Sequence, residues 1–187
     1  MAGMIIVTGI LYACSSGETR SENQTSALTP EQMVARGEYL VTAVGCDDCH
    51  SPKRMGPQGP EVIPELRLSG YPSNRPVQPA DTGAVGKGWM LMNMDLTSAV
   101  GSWGTSFAAN ITSDATGVGS WKEENFITAL RTGKIKGLGN GRTMLPPMPW
   151  PNFAKFTDED LKSIFAYLKS TKPVSNVPPP PVPPKRS

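Results

Sequence analysis

Histidine is almost missing from this chain of 187 residues: there is one, His50. Cysteine is nearly as scarce, at three residues, and aromatic residues make up only 7%. Any chemistry that needs two imidazoles, as paired metal ligands or as an acid and a base, is therefore excluded. A surplus of positive charge is lacking too. The 18 basic residues barely exceed the 16 acidic ones, which leaves little to neutralise a phosphate backbone, so nucleic acid is not an expected partner. The longest apolar run, Met4 to Ala13, falls well short of the roughly 20 residues that a bilayer-spanning helix needs. Glycine and proline, by contrast, are abundant at 19 each, so much of the fold should be loop. With 38% hydrophobic residues, a single core is still expected.

The apolar run sits at the N-terminus and reads as the apolar part of a secretory signal over residues 1–13. Leu11-Tyr12-Ala13-Cys14 resembles the lipobox of bacterial lipoproteins, which makes Cys14 a candidate lipidation site; a cleaved signal with an incidental cysteine is the alternative. Residues 14–29 are polar and small, a flexible tether with a reach of order 20 Å. The C-terminal stretch 173–187, with prolines from Pro178 to Pro184 broken only by Val182, favours extended polyproline geometry and is expected to lie outside the fold. That leaves residues 30–172 as one domain.

Three helices are predicted inside it. Thr29 with Pro30 and Gln32 forms a capping box for a helix running to about Val44, where Gly45 can end it. Met33, Gly37, Leu40, Val41 and Val44 share one face. Ser120 with Glu123 repeats the box ahead of Phe126, Ile127 and Leu130, with Gly133 as terminator. Thr157 followed by Asp158-Glu159-Asp160 places carboxylates at the positive end of a third helix, whose stripe is Leu161, Ile164, Phe165 and Leu168, and Pro173 ends it. Residues 51–119 show no sustained periodicity. A structureless stretch that long needs a reason.

Cys46-Asp47-Asp48-Cys49-His50 supplies one. It is C-x-x-C-H, the attachment motif of c-type haem. On one helical turn, positions i, i+3 and i+4 face the same way, so both thiols can bond the porphyrin while the imidazole meets the iron. Three other readings compete. A zinc site needs about four ligands, and no second pair exists. A thioredoxin-like pair needs a preceding strand, whereas a helix is predicted there. A Cys46–Cys49 disulfide is open to an exported protein. Haem accounts for more: with Cys46 and Cys49 tied to porphyrin and Cys14 to lipid, no thiol is left over. The other nitrogen of His50 is expected to donate to a carbonyl between Gly56 and Glu61.

The sixth ligand cannot be histidine, and thioether sulfur is the natural choice. Met1 and Met4 lie in the signal, Met33 on a helix face, and Met55 too close behind His50. Met90, Met92 and Met94 alternate; a copper(I) cluster is conceivable, but core packing is the expected role. Met144 and Met148 remain. Prolines on both sides of Met148 fix its backbone and favour it over Met144.

With these residues in view, the chain resembles a class I cytochrome c, and is similar to the haem modules of the cytochrome subunits of membrane-bound alcohol and gluconate dehydrogenases. The matching pieces are Gly37-Glu38-Tyr39-Leu40, Cys46 to His50, Asn110-Ile111-Thr112, Thr116 to Trp121, Ala129 to Gly133, Met148-Pro149-Trp150, and Asp158 to Leu161 with Ala166-Tyr167-Leu168. The resemblance implies an all-α, haem-wrapped domain, His50 and Met148 as axial ligands, and first and last helices crossing at Gly37 and near Tyr167. Trp89, Trp103 and Trp121 are candidates to pack on the porphyrin. The expected function is single-electron transfer by one covalent haem c, with no substrate converted. The expected place is the periplasmic side of a membrane, reached through the lipid on Cys14. Its partners would be a redox donor and acceptor, such as a membrane dehydrogenase or oxidase. A haem peroxidase or gas-binding protein with an open sixth position is the alternative, and a purely structural haem a third reading.

Overall fold

The computed structural model describes residues 27–184. Cys14, the signal and most of the tether lie outside the described residues. Helix α1 (Pro30–Ala43) begins with the expected box: Gln32 N–H donates to Thr29 Oγ1 (3.3 Å) and Thr29 N–H to Gln32 Oε1 (2.9 Å). Gly45, in the left-handed region at φ 75°, then turns the chain into the short α2 (Cys46–His50). Only glycine enters that region without cost, so the break before the cysteines is encoded at one residue.

Helix α6 (Asp158–Ser170) is capped by Thr157, whose side chain accepts from Asp160 N–H (3.0 Å), and buries Leu161, Ile164, Phe165 and Leu168 as the stripe requires. It ends three residues ahead of Pro173. Helices α1 and α6 form the main helix–helix contact of the molecule. They meet at Gly37, where a Cβ would overlap the Ser163 carbonyl and Tyr167 Cβ. Arg36 closes the crossing from outside with an Nε–Oδ1 bond of 2.8 Å to Asp160. Val34, rather than Met33, joins Leu40 and Val41 against the core.

The second capping box does not form. Between α2 and α6, helix α4 spans Glu123–Thr132 and starts from Lys122 with no side-chain cap. The chain just before it is still in a turn, with Gly119 N–H bonded to Asp114 O (2.9 Å) and Trp121 N–H to Val118 O (3.0 Å). Ser120 is therefore spent in the turn rather than at the cap. Gly133 does end the helix, at φ 68°, and Phe126 and Leu130 face the core, with the rings of Phe126 and Phe165 5.2 Å apart. A further short helix, α5 (Trp150–Phe153), follows the Met148 segment.

An all-α fold is not what the middle of the chain adopts. Residues 51–119 hold two small antiparallel sheets and the five-residue helix α3 (Thr82–Gly86). Strands β1 (Lys53–Gly56) and β2 (Gly59–Val62) form a hairpin. Strands β3 (Leu91–Met92), β4 (Ser98–Gly101) and β5 (Gly104–Phe107) form the other sheet, in that order. Elements of two to four residues are too short to leave a periodic signal. The alternating methionines are not core either: Met90 and Met94 are 48% and 75% exposed.

The turn between β3 and β4 is strained and firmly held. Leu96 has φ 63°, a left-handed conformation that is costly for any residue with a Cβ. Beside it, the nearly buried carboxylate of Asp95 accepts from Arg75 Nη1, Asn93 Nδ2 and Thr97 Oγ1, each at 2.6 Å. Burial pushes this carboxyl up, but the bonds from Thr97 and Arg75 outweigh it and hold the group below the usual carboxylate range.

The C-terminal stretch is not a free end. Residues 173–184 run back across the domain, and Val182 exchanges backbone bonds with Thr105 (2.8 and 3.0 Å).

Two outcomes follow from this packing. Gly37→Ala wedges the α1–α6 crossing apart and should destabilise the domain by about 3 kcal/mol in denaturant unfolding; a loss below about 0.5 kcal/mol would contradict the close approach. Because the folded-state carboxyl of Asp95 is depressed, its contribution is present above the unfolded value of about 3.9 and is lost as pH falls through the lower folded one. Arg75→Met removes part of that depression. In a circular-dichroism pH titration the variant should begin to unfold at higher pH than the parent, and be weaker by about 2 kcal/mol at neutral pH. An unchanged acid onset would show that the pair does not hold the turn.

Candidate haem site

Helix α2 is a single turn, and it points Cys46, Cys49 and His50 into one cavity of about 580 Å³. The opposite walls come from Met144 to Pro149, from Phe126, Ala129 and Leu130 on α4, and from Ile164 and Leu168 on α6. The lining is predominantly apolar, with Asp48, Lys136 and Arg142 as its charged side chains. Both sulfur candidates for the sixth position, Met148 and Met144, line this cavity, and Met148 also packs on the hydrophobic core.

His50 is held at both ends. Its Nδ1–H donates to the carbonyl of Ala109 at 2.7 Å, and its own carbonyl accepts from Gly70 N–H at 2.7 Å. The carbonyl is not between Gly56 and Glu61. The chain after His50 leaves as the β1–β2 hairpin, and a different pairing brings the acceptor in. Ile111 N–H bonds Leu68 O (2.9 Å) and Tyr71 N–H bonds Ala108 O (3.0 Å), so segment 68–71 lies against 108–111. Gly70, at φ 77°, allows this contact, since a Cβ there would strike the carbonyls of Ala108 and Ala109. With Nδ1 occupied as a donor, the lone pair of the neutral ring resides on Nε2. Burial lowers the His50 pKa, against the Ala109 bond and the charge of Asp47, and so favours that neutral form.

The two residues between the cysteines are more than spacers. The Asp47 carboxylate takes a two-pronged bond from Arg67, Nε to Oδ1 at 2.9 Å and Nη2 to Oδ2 at 2.6 Å, and a third from Ser51 Oγ at 2.7 Å. Arg67 then donates to the Tyr167 hydroxyl (2.5 Å), tying α2 to α6. Lys53 Nζ collects carbonyls at the end of the turn, Asp48 O at 2.6 Å and Ser51 O at 3.1 Å among them. The longer of these links carry no sequence signal, because Arg67 lies 20 residues from Asp47 and 100 from Tyr167.

Burial, with the Asp47 charge behind it, pushes the Cys46 thiol up to about 12. Burial and Asp48 raise Cys49 as well, opposed by Lys53. Protonated thiols are poor metal ligands and poor exchange nucleophiles. Neither thiol is paired with the other, the helix before the motif is not a strand, and no group of three or more metal-ligating side chains forms among the described residues. The zinc, thioredoxin-like and disulfide readings therefore have no support. A flat apolar macrocycle with anionic arms fits what is there: apolar walls, two thiols and an open imidazole nitrogen on one face, and cationic Lys136 and Arg142 at the lining. Of the three candidate tryptophans, Trp121 lines the cavity. Trp103 instead donates to Ser106 Oγ (3.3 Å), and Trp89 is 67% exposed and takes no part in the lining.

Comparison with known proteins agrees with this geometry. The family model described as cytochrome c matches residues 34–172. The gluconate 2-dehydrogenase cytochrome c subunit of Pantoea cypripedii is 32% identical over 139 residues, covering 74% of this chain and 23% of the relative. The fructose dehydrogenase cytochrome subunit of Gluconobacter japonicus is 27% identical over 176 residues, 93% of this chain and 29% of its own length. The cytochrome c subunit of alcohol dehydrogenase (quinone) from Gluconobacter oxydans (strain 621H) is 29% identical over 167 residues, 88% and 26%. The chain thus spans about a quarter of the length of the curated relatives it matches.

Proposed function

This chain belongs to the cytochrome c family, and from that premise we propose that it is a single-haem electron carrier working on the outer face of a membrane. The observation that carries the reading is the convergence of two thiols, an imidazole with only Nε2 free, and a methionine-bearing wall on one apolar cavity. When bound, haem c supplies a one-electron ferrous/ferric couple.

The protein's part is attachment, ligation and control of the surroundings. Cys46 and Cys49 would form the thioether attachment, and His50 Nε2 and the Met148 sulfur would be the ligands. Proline on each side and packing on the core support Met148 over Met144, because a pre-set backbone loses less freedom when the sulfur is presented. Lys136 and Arg142, both in the lining, would meet the propionate charges. The walls exclude water and so disfavour the more highly charged ferric state, which raises the potential in the same direction as the sulfur ligand. The sole imidazole is committed, so no histidine acid or base is left for the peroxidase alternative.

The relatives are cytochrome subunits of gluconate, fructose and alcohol dehydrogenases, which supports a dehydrogenase as redox partner, with a second carrier or an oxidase on the other side. Lipid on Cys14 would keep the domain near that partner through the polar tether. No helix among the described residues is long and apolar enough to cross a membrane.

The exported protein should give a pyridine haemochrome spectrum of one haem joined through two thioethers, and an intact mass that includes haem and acyl chains. A colourless protein whose mass is amino acids and lipid alone would overturn the reading. Met148→Ala should abolish the thioether-to-ferric-iron charge-transfer absorption and lower the midpoint potential, while Met144→Ala keeps both; a spectrum unchanged by Met148→Ala would reject that ligand.

A further inference from the structure

The family match ends at residue 172, yet the chain beyond it is built into the cavity. Val177 and the run Pro178 to Pro181 form part of the wall that faces the thiols and His50. This strap is held chiefly at one residue. Asn176 Nδ2 donates to the carbonyls of Ser69 (2.7 Å) and Tyr71 (2.9 Å), and its Oδ1 accepts from Ser73 N–H (2.9 Å). Its backbone N–H donates to Thr116 Oγ1 (3.0 Å), and its carbonyl accepts from Asn110 Nδ2 (3.2 Å). Asn110 Nδ2 also reaches Val174 O at 2.7 Å.

Those partners are the two segments that hold the imidazole. Ser69 and Tyr71 flank Gly70, whose N–H binds the His50 carbonyl; Asn110 follows Ala109, whose carbonyl binds His50 Nδ1. One side chain therefore clamps segment 68–73 while its backbone grips 110–116. Farther along, Gly104 at φ 94° makes room for the Val182 carbonyl, where a Cβ would collide. Prolines between these two fastenings keep the strap extended with little entropy left to lose.

We infer that Asn176 is a positioning residue of the haem site, closing a C-terminal proline strap over the cavity and locking the two segments that orient His50. The inference rests on the haem reading above. Its consequence is physical. Opening one wall admits water, and water favours the ferric state, which carries one more positive charge. Loosening segments 68–73 and 110–116 weakens the Nδ1 bond, and with it ligand basicity and ring orientation.

The test compares the haem-loaded full chain with Asn176→Ala and with a chain ending at Lys172. Covalent haem content, midpoint potential and binding of exogenous imidazole to the ferric form are measured for each. Both variants should retain one haem per chain and the parent's thioether charge-transfer absorption. The potential should fall, and imidazole should bind several-fold more tightly, since the site now yields its sixth position and admits solvent. A residue that merely stabilised the fold would lower the melting temperature and leave potential and imidazole binding as in the parent; that result overturns the inference. Should the shortened chain not be recovered folded, Asn176→Ala decides alone. A parent chain without covalent haem would instead defeat the haem reading itself, so the two failures are distinguishable.

Discussion

A single hydrogen bond, from His50 Nδ1 to the carbonyl of Ala109, orders much of what surrounds it. The chain has one imidazole, and that ring has two nitrogens; occupying one as a donor fixes the tautomer and leaves the other with the ring's only lone pair. For that bond to exist, residues 108–111 must lie beneath α2. They do so because Gly70 lets segment 68–71 approach within backbone distance. The strained Leu68 and the left-handed Gly70 are the cost of bringing two irregular segments together beside a single helical turn. The long, unperiodic middle of the chain is thus scaffolding for an acceptor, and its irregularity follows from the shape it must reach.

The motif itself was legible. Cys46, Cys49 and His50 sit on one turn as their spacing requires, and Thr29, Gly133 and Thr157 mark helix ends as their residue types predict. Gly37 at the crossing with Tyr167 followed from resemblance and is confirmed by the overlap that any Cβ would cause. These features are local or depend on one residue's stereochemistry. What stayed hidden depends on pairings distant in sequence. Ala109 is 59 residues from His50, and nothing at position 109 marks it as an acceptor, since every residue carries a carbonyl. Ser120 failed as a cap for a related reason: the turn at 114–119 had already taken that stretch of backbone. The strands of sheet β3–β5 are shorter than the windows in which alternation can be recognised.

Asp47 shows how a spacer position acquires a role. Between two cysteines, its identity is free as far as the attachment chemistry goes, yet the Arg67 fork makes it the joint between α2 and α6 through Tyr167. Because α6 is fixed to α1 at Gly37, the motif is referenced to the rigid helix pair rather than to the loops that follow it. The charge on Asp47 then pushes both of its neighbours the same way, toward protonation: it adds to the burial that raises the Cys46 thiol and opposes the burial that lowers His50. Both effects come from one partly buried carboxylate, whose own charge is balanced by Arg67.

The proline-rich end is where compositional reasoning misled most, and the reason is instructive. Proline removes a donor and fixes φ, so a run of it cannot join a helix or a central strand, and without a partner surface it is an extended tail. The same properties make it a good wall. A segment already extended has little conformational entropy to lose on docking, and it needs few polar contacts to stay in place. Here a single asparagine provides most of them at one end and a two-bond bridge at Val182 the other. Disorder and tight docking are thus separated by two fastenings. A cavity walled partly by such a strap has its solvent access set by those fastenings rather than by the helices that carry the ligands.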